Sequence, residues 1–177
     1  AEIFPASPLP EEYAVIAVDG SHIDVDRHFS ARCSLINTGH VYLKYGETGE
    51  ANLWNEPILN SSDEDLVLTD PIGLRDQPIE GHLLGIKRAV QEVKALADMV
   101  EDVPDHLPIL GLLDGSLILW GLSGQQYPDF VREELLENGL FVALDKLKDA
   151  AKNRLLAVAS YISFPRSTDV IKTLRHQ

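Results

Sequence analysis

The tripeptide Asp-Gly-Ser occurs twice in this chain, each time directly after a run of apolar residues. Tyr13–Val18 leads into Asp19-Gly20-Ser21, and Ile109–Leu113 leads into Asp114-Gly115-Ser116. An ionised carboxylate at the end of a buried strand is costly unless something compensates it, and two such groups side by side repel each other. A divalent cation is the simplest compensation, so both aspartates are candidate metal ligands.

The two aspartates would meet if the apolar runs form neighbouring parallel strands. Asp19 and Asp114 would then lie at the carboxyl edge of the sheet, where open α/β sheets usually bind ligands. Neighbouring strands are about 4.8 Å apart, which is close enough for two carboxylates to share one hard cation or to flank a pair of them. The glycine after each aspartate predicts a sharp turn and lets a phosphate approach. A single Asp-Gly is most often only a turn.

A third carboxylate would complete a magnesium or manganese site. The predicted helix from Glu80 to Glu101 supplies the choices, and Glu92 borders its apolar stripe because it precedes the core residue Val93. A solvated helix residue is the alternative interpretation of Glu92. Two metals held by such a cluster can activate a water and stabilise the leaving oxygen in phosphodiester hydrolysis.

The elements that must position these carboxylates can be predicted from hydrophobic periodicity and turn residues. The predicted order is strand, strand, strand, helix, strand, helix, strand, helix. In the first half we expect a strand ending at Asp19, a hairpin over Phe29–Tyr45 with its turn at Asn37–His40, a surface excursion over 46–79 with one edge strand at Leu66–Leu68, and the helix from Glu80.

In the second half, the run 109–113 predicts a strand. Pro128–Asn138 and Leu140–Lys152 then predict one broken helix or two helices, with the break at Gly139. The remaining elements are a buried strand over Leu155–Ile162 and a helix over Thr168–His176. An antiparallel meander followed by right-handed crossovers gives an α/β fold with a mixed sheet flanked by helices, which is the RNase H-like plan. In that plan the first strand is central, and the strand over 109–113 lies parallel beside it.

Composition limits the class of protein. The chain has 177 residues, of which 45% are hydrophobic, and a net charge of −13. We expect one globular domain over 13–177, preceded by an extended, proline-rich arm over 1–12. The single cysteine excludes an internal disulfide, and no signal-like or membrane-spanning stretch is evident, so a cytoplasmic location with no membrane partner is expected. The negative field opposes loose attraction to nucleic acid, so any such contact must be local.

Three further residues are candidate phosphate or DNA contacts. Ser21 and Ser116 follow the two glycines, and Arg166 precedes the last predicted helix, whose N-terminus favours an anion. A helix cap with a solvated arginine is the alternative there. The sequence contains no Walker-type glycine loop and no His-Glu-x-x-His motif.

Four segments together resemble the landmarks of the NurA nuclease domain, and the similarity spans about 13–175. They are Ile16–Ser21, Lys87–Lys94, Leu110–Leu117 and Ala159–Thr168. The resemblance implies a manganese-dependent nuclease with an RNase H-like core, usually dimeric, that trims DNA ends together with a HerA-type hexameric ATPase. It also implies that Asp19, Glu92 and Asp114 hold Mn²⁺ or Mg²⁺, with Glu101 as the alternative third ligand.

The family also uses an acidic residue and a histidine in a distal segment, which this chain is expected to lack, either as a fragment of a longer nuclease or as a shortened relative that cannot cut. Two other interpretations stay open. One is a non-catalytic NurA-like module that docks on a motor protein. The other is an actin-like nucleotide-binding half-domain, because the first strand of that fold also ends in an Asp-Gly phosphate turn.

Overall fold

A mixed sheet of five strands organises the structure, a computed structural model that describes residues 5, 7–24, 32–73, 75–117, 127–162, 172 and 175. The strands of the chain are β1 (Tyr13–Asp24), β2 (Ser34–Tyr45), β3 (Glu50–Asn60), β4 (Val67–Thr69), β5 (Asp76–Pro78), β6 (Ile109–Asp114) and β7 (Leu156–Tyr161). The sheet order is β3-β2-β1-β6-β7, and β4 and β5 form a separate antiparallel pair.

The central strand β1 has an antiparallel neighbour on one side and a parallel neighbour on the other. It pairs with β2 along its full length, whereas its parallel ladder with β6 runs from Ala14–Ile109 to Val18–Leu113. β6 and β7 are also parallel. The mixed, RNase H-like sheet predicted from the order of elements is therefore confirmed, including the central first strand and its parallel neighbour.

One long helix, α2 (Gly81–Asp102), covers one face of this sheet and matches the predicted helix to within a residue. Its buried side chains include Leu84 and Leu96, which share a core with Ile16 of β1 and Ile36 of β2. Each such side chain contributes about 1.5–3 kcal/mol when it is removed from water. Among the described residues, no helix covers the opposite side of the sheet, which we call the open face.

Two contacts fix the ends of α2. At its start, the Gly81 N–H donates to the Asp24 carboxylate of β1 at 2.6 Å, which supplies the cap that the helix lacks from its own neighbours. After its end, Arg154 is almost buried, and its guanidinium donates to four main-chain carbonyls at 2.5–3.2 Å, those of Val100, Val103, Pro104 and Leu107. Arg154 therefore holds the turn that leads from α2 to β6.

The remaining helical segments run without a break where one was predicted. The short helix α1 (Asp63–Leu66) precedes β4, and α3 (Asp129–Arg132), a π-helical segment (Glu133–Phe141) and α4 (Val142–Asn153) follow one another directly. Gly139 does not end a helix. A Cβ there would lie 2.8 Å from Cγ1 of Val90, so Gly139 is the point where this helix packs closely against α2.

The predicted hairpin over Phe29–Tyr45 is wrong. Asn37–His40 lies inside β2, which pairs with β1 on one side and β3 on the other. Thr38 and His40 are buried while Asn37 and Gly39 are half-buried, the alternation of a strand. Ladder hydrogen bonds from two neighbours outweigh the turn preference of Asn and Gly. The reversal lies at 46–49 instead.

Two further expectations about strands are corrected. The surface excursion predicted over 46–79 contains β3, an edge strand whose apolar residues lie on both faces, so that no alternation marks it in the sequence. β7 was expected to be buried, but its side chains alternate between half-buried and exposed because it borders the sheet and one of its faces is open. The expected edge strand at Leu66–Leu68 overlaps β4, which belongs to the separate pair.

Some expectations fall outside the described residues. They are part of the arm over 1–12 and most of the last predicted helix, of which Lys172 and Arg175 are described and helical. Residues 7–12 form no helix or strand. Among the described helices, none combines the length and the apolar content that crossing a bilayer requires.

Candidate functional site

Asp19 and Asp114 lie side by side on the open face. Each follows directly after a member of the Val18–Leu113 pair, the last pair of the parallel ladder between β1 and β6. Neighbouring strands are about 4.8 Å apart, and both aspartates are exposed residues in the wall of the same cavity of about 710 Å³. The predicted meeting of the two tripeptides is therefore present.

The two tripeptides nevertheless differ in conformation. β6 ends at Asp114, and Gly115 has φ +98°, a left-handed conformation that favours glycine. β1 continues through Asp19 and Gly20 to Asp24 because β2 pairs with it throughout, so Asp19 does not end its strand as predicted. Gly20 does not have a positive φ. Its glycine identity has another cause.

Side chains of α2 occupy both backbone polar groups of Gly20. The Gly20 N–H donates to Oε1 of Glu92 at 2.9 Å, and the Arg88 guanidinium donates to the Gly20 carbonyl. Arg88 also forms an ion pair with Oε1 of Glu92 at 2.9 Å, one helical turn apart. A Cβ on Gly20 would lie 2.5 Å from that same Oε1, so only glycine leaves room for this arrangement.

The hydrogen bond from the Gly20 N–H places the Glu92 carboxylate at the edge of β1 beside the aspartates. The N–H and C=O groups of a strand lie in the plane of its sheet. β2 occupies one side of β1 at Gly20, and on the other side the ladder with β6 has ended two residues earlier, at Val18–Leu113. The carboxylate of Glu92 therefore fills the gap that opens where β6 stops.

The electrostatics of Glu92 show the same convergence. Its side chain is 8% exposed, and burial raises its pKa from 4.5 to about 7. Arg88 and the Gly20 N–H act against this increase, while the negative charges of Asp19 and Asp114 add to it. The structure thus brings all three predicted carboxylates within electrostatic range of one another, and Arg88 forms an ion pair with one of them, Glu92.

The donor set fits a hard divalent cation in kind. Carboxylate oxygens are the ligands that Mg²⁺ and Mn²⁺ prefer. Within the described part of the chain, however, no three His, Cys, Asp or Glu side chains are already arranged around a common metal position. Oε1 of Glu92 is taken by Gly20 and Arg88. Binding a cation would therefore require side-chain rearrangement, which the exposed aspartates permit.

The other predicted site residues occupy different positions. Ser21 lies on the open face in the same cavity wall as Asp19, and Ser116 follows the turn at Gly115 and is exposed. Arg166 lies outside the described residues. Glu101 is nine residues beyond Glu92, about 13 Å along the helix, where its carboxylate lies 3.7 Å from Nζ of Lys146.

Sequence reasoning missed Arg88, although its spacing of four residues from Glu92 is the signal of an ion pair on one helix face. It also missed Asn37 and Asn55, which line the cavity that contains both aspartates. Only the strand register places them there, since the sequence pattern predicts a turn at Asn37 and a surface excursion at Asn55.

Comparisons with known proteins give one match by sequence. The model of the NurA domain matches residues 13–176, nearly the whole chain. No curated protein was found with significant sequence similarity to the chain.

Solved structures give distant similarities. The protease-reverse transcriptase of prototype foamy virus is 12% identical with a TM-score of 0.44, over 89% of this chain and 18% of that one. LC9-RNase H1, a type 1 RNase H with the type 2 active-site motif, is 9% identical with a TM-score of 0.41, over 96% of this chain and 72% of that one. The chain thus spans less than a fifth of the length of the viral protein.

Proposed function

Because the chain belongs to the NurA family, we propose that it is a nuclease domain that hydrolyses DNA phosphodiester bonds with Mn²⁺ or Mg²⁺. The observation that supports this most directly is the convergence of Asp19, Glu92 and Asp114 where the β1–β6 ladder ends. Three carboxylates, of which only Glu92 is paired with an arginine among the described residues, form a negative centre that a divalent cation would neutralise.

Asp19 and Asp114 would hold the metal, and Glu92 would complete the set. Bound divalent cations would supply a water activated for attack and a counter-charge for the leaving oxygen. Glu92 must be ionised to act as a ligand, and with a pKa of about 7 it carries that charge mainly above neutral pH. The hydroxyls of Ser21 and Ser116 are suited to hydrogen bonds with phosphate oxygens.

The test is cleavage of labelled single- and double-stranded DNA in Mn²⁺, with EDTA as the metal-free control. We expect Asp19→Asn and Asp114→Asn to reduce cleavage by several orders of magnitude, because a cluster that loses one charged ligand holds its cation poorly. Glu101→Gln is the matched control and should retain activity. Cleavage that Asp19→Asn leaves unchanged would reject this site.

A second function is favoured by one observation, the commitment of Oε1 of Glu92 to Gly20 and Arg88. In this alternative the Glu92 carboxylate only connects α2 to β1, and the domain keeps the fold as a non-catalytic module that docks on a motor protein. Calorimetric titration with Mn²⁺ separates the two. Binding at millimolar metal or below supports the nuclease, and its absence supports the docking module.

We further propose that the domain acts as a homodimer in DNA end processing, together with a HerA-type hexameric ATPase. The support is family membership. Such partners would also confine DNA near a domain whose net charge of −13 repels it. Light scattering of the purified protein, alone and mixed with the ATPase, tests both associations.

A further inference from the structure

We propose that Asn37 and Asn55, together with Ser21, form a row of uncharged hydrogen-bonding groups that binds the sugar–phosphate backbone of a DNA strand beside the carboxylates. The row crosses the open face from β1 to β3. This inference rests on the nuclease function proposed above, and it names the residues that position the substrate.

The strand register aligns these residues with Asp19. In the antiparallel ladders, Asp19 pairs with Gly39 and Gly39 pairs with Asn55, while Ser21 pairs with Asn37. Paired residues point to the same face of a sheet. Asn37 is therefore one strand away from Ser21, about 5 Å, and Asn55 is two strands away from Asp19, about 10 Å. All of them line the cavity that contains Asp114.

The composition of the open face singles out this row. In β1, β2 and β3, Asp19 is the one charged residue among the described positions on that face, and the register shows no lysine or arginine there. The polar, uncharged residues near Asp19 on this face are Ser21, Asn37 and Asn55. Of the remaining residues, all are apolar except Gly39 and two tyrosines at the far end of the face. The three polar, uncharged side chains are thus grouped around the carboxylate.

Gly39 leaves the path between Asp19 and Asn55 open. A Cβ at this position would approach Oδ1 of Asn55 and the carbonyl oxygen of Asp19 to 3.4 Å. With glycine there, nothing projects above the strand between the carboxylate and the amide. A bound strand can therefore lie low across β2 while it remains in contact with both sides.

Uncharged hydrogen-bond donors can contact DNA in a chain with a net charge of −13, because these contacts do not depend on attraction between opposite charges. Asparagine amides and serine hydroxyls contact phosphates and sugars directly, and such contacts fix register without reading sequence. They add no positive charge, so they release no counterions and contribute nothing to the salt dependence of binding. The row therefore predicts substrate contacts that are insensitive to salt.

The experiment compares Asn37→Ala, Asn55→Ala and the double variant with wild type in Mn²⁺-dependent cleavage of a short labelled single strand. Each single change should raise KM about three- to tenfold, the loss of one or two hydrogen bonds, and leave kcat unchanged. The dependence of KM on salt should keep the wild-type slope. Affinity for Mn²⁺, measured by calorimetry, should not change, because the amides are not ligands.

Asn52→Ala is the matched control, since Asn52 is an exposed asparagine on the same strand but on the opposite face, where it pairs with Tyr42. Its KM should equal that of wild type. If the Asn37 and Asn55 variants also keep the wild-type KM, or if Asn52→Ala raises KM equally, the row does not bind DNA. The apolar open face would then belong to another occupant, such as a second copy of this chain.

A second readout separates this inference from the proposed function. If wild-type protein does not cleave DNA, fluorescence anisotropy with the same labelled strand still measures binding. Binding that the Asn37 and Asn55 variants weaken, and Asn52→Ala does not, supports the row although the nuclease proposal has failed. Wild-type protein that neither cleaves nor binds the strand overturns both.

Discussion

Replacing Glu92 by glutamine tests the buried environment that raises the pKa of this carboxylate, independently of any enzymatic assay. Glutamine has nearly the same shape and can still accept the hydrogen bond from Gly20, but it cannot ionise. In the native protein the pKa of Glu92 rises from 4.5 to about 7, so the folded state binds the proton more tightly than the unfolded chain. The native state therefore loses stability as the pH rises from about 4.5 to about 7.

The size of this loss follows from the shift. Each unit of pKa corresponds to about 1.4 kcal/mol, so ionising Glu92 in the fold costs on the order of 3 kcal/mol by pH 8. The measurement is urea unfolding of metal-free wild type and Glu92→Gln at about pH 5 and about pH 8. The free energy of unfolding of the variant minus that of wild type should increase by about 2.5 kcal/mol between the two pH values, because a small part of the cost is already present at pH 5.

Glu101→Gln is the control, because the Glu101 side chain is 63% exposed and far from the aspartates, and its difference from wild type should be small at both pH values. A difference that stays constant for Glu92→Gln would refute the reasoning, since Glu92 would then ionise as it does in water. Millimolar Mn²⁺ at pH 8 should stabilise wild type, by about 2.7 kcal/mol at a hundredfold excess over Kd, and should stabilise the variant less.

Substitutions of Gly20 and Arg154 test the packing that holds this site. Gly20→Ala should destabilise the fold by about 1–3 kcal/mol and weaken Mn²⁺ binding, because the added methyl group displaces Glu92. The control is Gly85→Ala in α2, which should stabilise the fold by about 0.5–1 kcal/mol, because its Cβ would meet nothing closer than 3.7 Å. Arg154→Met should lower the free energy of unfolding by at least about 2 kcal/mol because it strands four carbonyls, while Lys152→Ala, in an exposed ion pair, should change it by less than about 0.5 kcal/mol. Urea or thermal unfolding measures all four.

The parts of the fold that sequence predicted are those in which burial imposes a period. The apolar stripe of α2 and the buried runs before Asp19 and Asp114 give strong patterns, and the order of elements then makes β1 and β6 neighbours. Two of the three carboxylates follow from that adjacency alone. The third, Glu92, follows from its place beside a core residue on α2 together with the family resemblance.

The parts that sequence could not predict depend on long-range pairing. Asn37 and Gly39 favour a turn locally, yet ladders on both sides extend the chain there. β3 lies at the edge with both faces largely exposed, so no alternation marks it. The contact of Arg88 with the Gly20 carbonyl joins residues 68 positions apart. In each case the deciding interaction comes from a distant part of the chain.

The two Asp-Gly-Ser tripeptides are identical in sequence but differ in conformation, because β2 pairs with all three residues of the first, whereas β6 ends at the aspartate of the second. This difference in conformation affects how a cation could bind. Asp19 lies inside β1, which pairs with β2 on one side, and on the other side two side chains of α2 bind the backbone of the next residue, Gly20. The backbone of Asp19 is therefore fixed. Asp114 ends its strand at a left-handed glycine. Since the three carboxylates are not yet arranged around one cation, the movement that would assemble them has to come mainly from Asp114 and from Glu92 as it releases Gly20. A metal site built in this way would be half rigid and half adjustable, with the backbone of Asp19 as its fixed reference.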